Sequence, residues 1–313
     1  MRQISAEEVY AALPIGECID VVAKAMVAVS RGQAVLPLRS LMPLGSGNAM
    51  GIMPGGLSSP AVHGIKLVSL YPRNPERGLS SHQGVILLFD TETGRPIAAV
   101  DGASVTAQRT AAASAAATRA LARKDARVLA ILGAGEQAEH HLPAHLAVRA
   151  FEEVRVWTRT FAKAQAFAAR HAHSVLSIRA VASAQEAVAG ADVVVTVTAS
   201  PTAILRGEWL QPGQHVNLVG ASVASAREID DAGVARGRFF VDTLAGAKAQ
   251  AGEYIDALNA GVVTEGHILG EIGRVYDRSL AGRLRDDDVT IYKSLGVAAQ
   301  DLAVAYEILS RLP

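Results

Sequence analysis

The stretch Gly133-Ala134-Gly135-Glu136-Gln137-Ala138 follows the apolar run Val128 to Leu132 and opens a segment with helical spacing. Glycines at its first and third positions permit a tight turn and let backbone N–H groups approach an anion. The helix start behind them adds a positive dipole end and amides without intrahelical partners. Between a strand and a helix, this GxGxxA pattern reads as the pyrophosphate cradle of a dinucleotide-binding domain. Glu136 suits a helix start, but its charge must point away from cofactor phosphates. The next strand, Val154 to Trp157, ends in Thr158-Arg159-Thr160, where an NAD site would place an acid to hold the ribose 2′-hydroxyl. A guanidinium flanked by two hydroxyls suits a 2′-phosphate instead. The expected cofactor is therefore NADPH in preference to NADH, with NADH still possible.

Other side chains with chemical potential lie in the first half. In Ile65-Lys66-Leu67-Val68, strand alternation puts Lys66 on the face opposite Ile65 and Leu67. Arg109 interrupts a small, apolar helix, and Arg39 sits in Pro37-Leu38-Arg39-Ser40. Ser81 and His82 precede the strand at Val85. A histidine there could relay a proton near neutral pH, whereas Ser81 lacks an identifiable activating base and reads as a polar contact. His141 and His145 are four residues apart, but no third ligand is placed by spacing, the glutamate of an HExxH motif is missing, and Pro143 lies between them. No metal site is expected, and the pair reads as a partly exposed polar face.

These residues need elements to hold them. Ser5 and Glu8 form a potential capping box, and Pro14 to Ser30 carries the spacing of a helix with one buried face. From about Leu36 to Asp101, short strands broken by Pro and Gly (Leu38–Met42, Ala49–Met53, Ile65–Leu70, Val85–Asp90, Ile97–Val100) predict a mostly antiparallel sheet. Ala103 to Ala122 predicts a long connecting helix. Beyond it, Val128–Leu132, Val154–Trp157, Asp192–Thr198, Val216–Val219 and Phe239–Asp242 alternate with helical stretches as in βαβ units. Ser183 with Glu186 offers a second capping box. Pro143 should kink or break the helix after the glycine turn. The last segment, from Thr290, begins strand-like and becomes helical after Gly296.

The 313 residues are half hydrophobic and carry a formal net charge of zero. With no basic clusters interleaved with aromatics, no nucleic-acid or anionic-membrane partner is expected. The one cysteine, Cys18, falls in a buried helical pattern. Together with the lack of an apolar leader or a membrane-length apolar run, it leads to the expectation of a cytoplasmic protein.

Three blocks extend the reading beyond the glycine turn: GIKLVSLYPRNPERGLSSHQGVILLFDTETG from Gly64, DGASVTAQRTAAASAAATR from Asp101, and KSLGVAAQD from Lys293. In this order they resemble the ornithine cyclodeaminase/mu-crystallin family over nearly the whole chain. The resemblance implies an α/β fold: a Rossmann dinucleotide-binding domain (116–289) plus an α+β substrate/dimerisation domain with a mostly antiparallel sheet (1–115 and 290–313). It also implies a homodimer paired through those sheets.

Family substrates are α-amino or α-imino acids. Arg39, Lys66 and Arg109 match positions that clamp the substrate carboxylate, Lys66 also serving proton exchange at the reacting nitrogen, while Ser81 and His82 match the active-site lining. Cofactor positions carried over are Thr110, Gly133, Ala134, Gly135, Glu136, Gln137, Thr158, Arg159, Thr160, Thr198, Ser222, Ser294, Leu295 and Gly296. True ornithine cyclodeaminases carry an aspartate where this chain has Ser222, and a serine cannot replace that base at neutral pH. The chain therefore resembles the ketimine reductase and mu-crystallin members more closely. The expected activity is NADPH-dependent reduction of small imino acids, foremost Δ1-pyrroline-2-carboxylate or Δ1-piperideine-2-carboxylate, to L-proline or L-pipecolate. Competing expectations are an ornithine or lysine cyclodeaminase, an alanine dehydrogenase-like or iminosuccinate-reducing enzyme, and an NADP-loaded binding protein with little turnover.

Overall fold

The computed structural model describes residues 1–172 and 176–313. The chain divides into two compact units, one formed by Met1–Ala112 with Gly296–Pro313, the other by Ala113–Leu295.

The first unit begins with β1 (Arg2–Ile4), α1 (Ala6–Ala12) and α2 (Ile15–Ser30). The Ser5–Glu8 capping box closes in both directions at the start of α1. Strands β2 (Ala34–Val35), β3 (Ser40–Gly45), β4 (Asn48–Ser58), β5 (Ala61–Leu70), β6 (His82–Phe89) and β7 (Pro96–Asp101) follow, and then α3 (Gly102–Leu121). The sheet runs β1-β7-β6-β5-β4-β2 with β3 also paired to β4. Every pairing is antiparallel except β1 with β7.

The C-terminal helix, Ala298–Arg311, packs on β4, β5 and β6. Glycines admit it. A Cβ on Gly55 would lie 3.0 Å from the Ala298 Cβ, and one on Gly64 would lie 2.9 Å from Leu302. On β5, Val62, Lys66 and Val68 are buried whereas Ile65 and Leu67 are only half-buried, so the alternation read from sequence holds and the helix covers the face that carries Lys66. Cys18 is a core thiol whose burial pushes its pKa up to about 12.

The second unit begins within α3, whose alanines leave little bulk between its backbone and its neighbours. Its sheet is built from β8 (Val128–Leu132), β9 (Glu153–Trp157), β10 (Ser177–Ala180), β11 (Val193–Thr196), β12 (His215–Leu218), β13 (Arg238–Val241), β14 (Ile268–Glu271) and β15 (Thr290–Lys293). All pairings are parallel, in the order β10-β9-β8-β11-β12-β15-β13-β14. Leu129, Ile131, Val193 and Val195 enter one apolar cluster, and Ala130, Leu132 and Val194 the other. Burial on both faces explains why these strands read as continuous apolar runs. β10 and β14 carry no such run, since Arg179 and Gly270 interrupt them, and the periodicity does not reveal them.

Three expectations are corrected here, in whole or in part. The helix after the glycine turn, α4 (Glu136–Leu146), passes through Pro143 without breaking and ends three residues later. Its buried face, Ala138, Leu142 and Ala144, supplies tertiary packing that outweighs the intrinsic penalty. His141 and His145 are not a polar surface. Both are fully buried, their rings stack at 5.8 Å, and each Nδ1 meets the carbonyl one turn back, at 2.7 and 2.8 Å. The second capping box forms only in part: Ser183 accepts from the Glu186 amide, but the Glu186 carboxylate accepts from Ala182 instead. No described helix is long and apolar enough to cross a membrane.

Desolvation pulls the pKa of His141 to about 3, His145 to about 4 and His215 to about 3, with neighbouring basic groups adding to the fall for His141 and His215. Folded values below the unfolded value of about 6.5 mean that the unfolded chain takes up protons first as pH drops. Stability should be complete above that pH and fall below it, each histidine removing up to about 1.4 kcal/mol per pH unit. Thermal unfolding followed from pH 7 to pH 4.5 should show a steep drop that His215→Asn makes shallower. An unchanged slope would mean that His215 is not buried neutral.

Candidate active site

In the first unit, the sheet and two helices converge on one carboxylate. Lys66 lies on the helix-covered face of β5 and is 2% exposed, and Arg109 on α3 is 5% exposed. Asp301, in the first turn of the C-terminal helix, is fully buried. Its Oδ1 accepts from Lys66 Nζ at 2.8 Å and from Arg109 Nε at 2.9 Å. Arg109 also donates to Gln300 Oε1 at 2.9 Å, and Lys66 to Thr106 Oγ1 at 3.3 Å. Asp301 Oδ2 has no partner among the described residues. Gly296, at φ +78°, gives Arg109 room, because a Cβ there would fall 2.5 Å from the guanidinium.

Burial pulls the Lys66 ammonium down to about 8. Asp301 opposes that fall, while Arg109 and Arg39 add to it. Two buried cations sharing one carboxylate retain a net positive charge, to which half-buried Arg39 contributes. This arrangement calls for an anion and leaves a lysine able to release a proton near neutral pH.

The other first-unit candidates lie apart. Ser81 Oγ and His82 Nδ1 are 2.9 Å from each other. His82 pairs with Leu70 on β5, four residues from Lys66, a distance of roughly 13 Å along a strand. The register places His82 on the same face of the sheet as Lys66, further along it. Thr110 follows Arg109 on α3 and is half-buried.

In the second unit, β8 pairs with β9 on one side and β11 on the other, so the direction of strand order reverses at its end. Crevices at such reversals hold ligands in open parallel sheets. Gly133 has φ +129°, and a Cβ would stand 2.7 Å from Val197 O; glycine alone lets the turn pass so close to the end of β11. Gly135 caps α4 without a side-chain bond, and open space lies where its Cβ would be. Gln137 Oε1 is buried without a partner among the described residues. These features fit a dinucleotide: a backbone surface with room above it, an uncapped eleven-residue helix start and a spare buried acceptor. Ala134 is half-buried, and Glu136 is exposed at the helix start.

Thr158, Arg159 and Thr160 follow β9, and the exposed Arg159 side chain makes no hydrogen bond or ion pair among the described residues. Thr198 and Ser222 follow β11 and β12, and Ser294 follows β15. Leu295 packs in the core and its amide donates to Asp242 at 2.7 Å, which leaves neither its side chain nor its N–H for a ligand.

Comparison with known families matches residues 2–312 to the ornithine cyclodeaminase/mu-crystallin family. The chain belongs to this family. It is 38% identical over 275 residues to the ketimine reductase mu-crystallin of Mus musculus, covering 88% of this chain and 84% of that protein. It is 33% identical over 308 residues to a Delta(1)-pyrroline-2-carboxylate reductase of Bacillus cereus, covering 97% and 94%. The solved structure of Thermococcus litoralis Delta(1)-pyrroline-2-carboxylate reductase, in complex with NADH and L-proline, superimposes with a TM-score of 0.96 at 33% identity, covering 99% of this chain and 97% of that one.

Asp301 and Gln300 are absent from the residues singled out by sequence. Asp301 closes the block KSLGVAAQD, and an acid in the first turn of a helix is ordinarily a dipole partner. The signal that distinguishes it is its place among Ala298, Ala299, Leu302, Ala303 and Ala305, a run with no exposed side to carry a charge.

Replacing Asp301 by Asn should leave two buried cations without their anion, at a cost of about 3 to 5 kcal/mol. Because Asp301 raises the Lys66 pKa, the loss should also move the basic limb of kcat/KM from about 8 toward lower pH. A pH–rate profile of Asp301→Asn with its limb unmoved would remove Lys66 as the titrating group.

Proposed function

We propose that this protein is an NADPH-dependent reductase of small imino acids, with the cyclic ketimines Δ1-pyrroline-2-carboxylate and Δ1-piperideine-2-carboxylate as its first candidates and L-proline or L-pipecolate as products. The observation that carries the reading is the buried Lys66–Asp301–Arg109 cluster in a member of this family. Its excess positive charge is the complement of an α-carboxylate, and its lysine is poised to hold or give a proton.

When bound, the reduced nicotinamide supplies a hydride to the C=N carbon. Gly133 to Gln137 hold the pyrophosphate, and Thr158, Arg159 and Thr160 take the ribose phosphate. Arg109 and Arg39 receive the substrate carboxylate through charge-assisted bonds, each worth about 1.5 to 3 kcal/mol. Lys66 donates the proton that the imine nitrogen gains as it becomes an amine, and the neutral lysine is recharged from water. Asp301 keeps Lys66 and Arg109 together against their mutual repulsion, so the substrate meets a pre-set orientation. Ser222, a hydroxyl where deamination needs a base, favours reduction over cyclodeamination.

Incubation with NADPH or NADH and a panel of both ketimines, pyruvate with ammonia, iminosuccinate and L-ornithine should show cofactor oxidation fastest with a ketimine. Conversion of ornithine with ammonia release and no net cofactor change would refute the proposal. Lys66→Ala and Arg109→Ala should each lower kcat/KM by about 100-fold or more, the scale of one lost proton donor or one unpaired buried charge.

The guanidinium of Arg159, without a partner among the described residues, supports the preference for NADPH. In Arg159→Ala the KM for NADPH should rise about tenfold while that for NADH changes little. Equal effects on both cofactors would assign Arg159 to the shared part of the dinucleotide. A homodimer also belongs to this reading: β3 leaves Leu41, Met42 and Leu44 exposed, with Val35 and Leu38 beside them in sequence, an apolar surface of the kind that monomers rarely keep.

A further inference from the structure

The fully buried carboxylate of Glu228 is surrounded by hydrogen-bond donors from two strand ends. Its Oε1 accepts from the Thr198 amide at 2.9 Å and the Thr198 hydroxyl at 2.8 Å. Its Oε2 accepts from the Thr196 hydroxyl at 2.7 Å, the Gly220 amide at 2.6 Å and the Ala221 amide at 3.3 Å. Glu228 is itself tethered, since its carbonyl accepts from the Ile204 and Leu205 amides at 3.0 and 2.9 Å. Gly220 completes the junction. A Cβ there would stand 2.1 Å from Thr198 O and 2.5 Å from Glu228 Oε1.

The same turn is gripped from its carbonyl side. Lys293 Nζ donates to Ala221 O and lies 2.8 Å from Glu253 Oε1, with both side chains fully buried. Amides of the Gly220–Ala221 turn thus point at an anion, and the Ala221 carbonyl points at a cation. Ser222 is the next residue.

We propose that Glu228 is a positioning residue for the bound dinucleotide. It ties the end of β11 to the end of β12, so that Thr198 and Ser222 are presented as one rigid edge beside the glycine turn. Thr198 commits its only hydroxyl proton to Glu228 and accepts from the Ser200 amide at 3.3 Å, so toward a ligand that oxygen can act only through its second lone pair, as an acceptor. A carboxylate is required because all five groups facing it donate. Glutamine would turn one oxygen into a donor set against an amide N–H. This inference rests on the dinucleotide reading above, and it concerns residues of the second unit alone.

The test measures the Kd of NADPH by fluorescence titration in the absence of imine, then the KM for imine at saturating NADPH, in Glu228→Gln and Thr196→Val. Thr196→Val removes one donor to Glu228 at a residue with no proposed ligand contact. Glu228→Gln should raise the Kd about tenfold or more and Thr196→Val about threefold to fivefold, with imine KM within about twofold of wild type in both. A Kd unchanged in both variants would overturn the proposal. So would an imine KM that rises in step with the Kd, because that marks general damage to the fold. Should Glu228→Gln fail to fold, the Kd of Thr196→Val decides. A wild-type protein that binds neither NADPH nor NADH would instead refute the dinucleotide reading itself.

Discussion

One carboxylate, Asp301, holds the chemistry of the first unit together. Lys66 and Arg109 are both almost wholly buried, and two cations in a low-dielectric interior repel each other unless an anion lies between them. Asp301 Oδ1 occupies that place, at 2.8 and 2.9 Å. The fold around it can be understood as the means of delivering that atom. Glycines in β4 and β5 let the C-terminal helix approach the sheet, the first turn of that helix carries the acid, and Gly296 clears space for the guanidinium. The excess positive charge that remains is what an α-carboxylate would neutralise.

The second unit differs in offering backbone rather than charged side chains, at a turn with room for a polyanion. Gly133 turns so close to Val197 that no side chain fits, and the uncapped start of α4 follows at once. Buried charges then fasten the neighbouring strand ends. Glu228 collects amides and hydroxyls after β11 and β12, while Lys293, paired with Glu253, takes the opposing carbonyl. Both units thus place ionised groups in their interiors to orient other polar groups. Such an arrangement accepts a desolvation cost in return for a fixed geometry.

Legibility in the sequence followed the range of the interactions. The glycine turn, the capping box at Ser5 and the apolar strands β8 and β11 are local patterns, and each appears close to where its spacing put it. The Lys66 face was legible from alternation alone. β10 and β14 were not, since each is four residues long and broken by Arg179 or Gly270. His141 and His145 misled because their polarity suggested a surface, whereas α4 turns that side inward and satisfies one nitrogen of each ring with a carbonyl of its own helix. Pro143 does not break the same helix, where packing outweighs a local penalty.

The sequence by itself determined the family, the two kinds of sheet, the glycine turn and the cations Lys66 and Arg109, because these depend on residue type and on spacings of a few positions. The tertiary structure alone decided which acid those cations share, since Asp301 lies 235 positions from Lys66 and 192 from Arg109. It also decided that Glu228 joins two strand ends. Distances between groups remote in the chain are set by packing, and a one-dimensional pattern does not encode them.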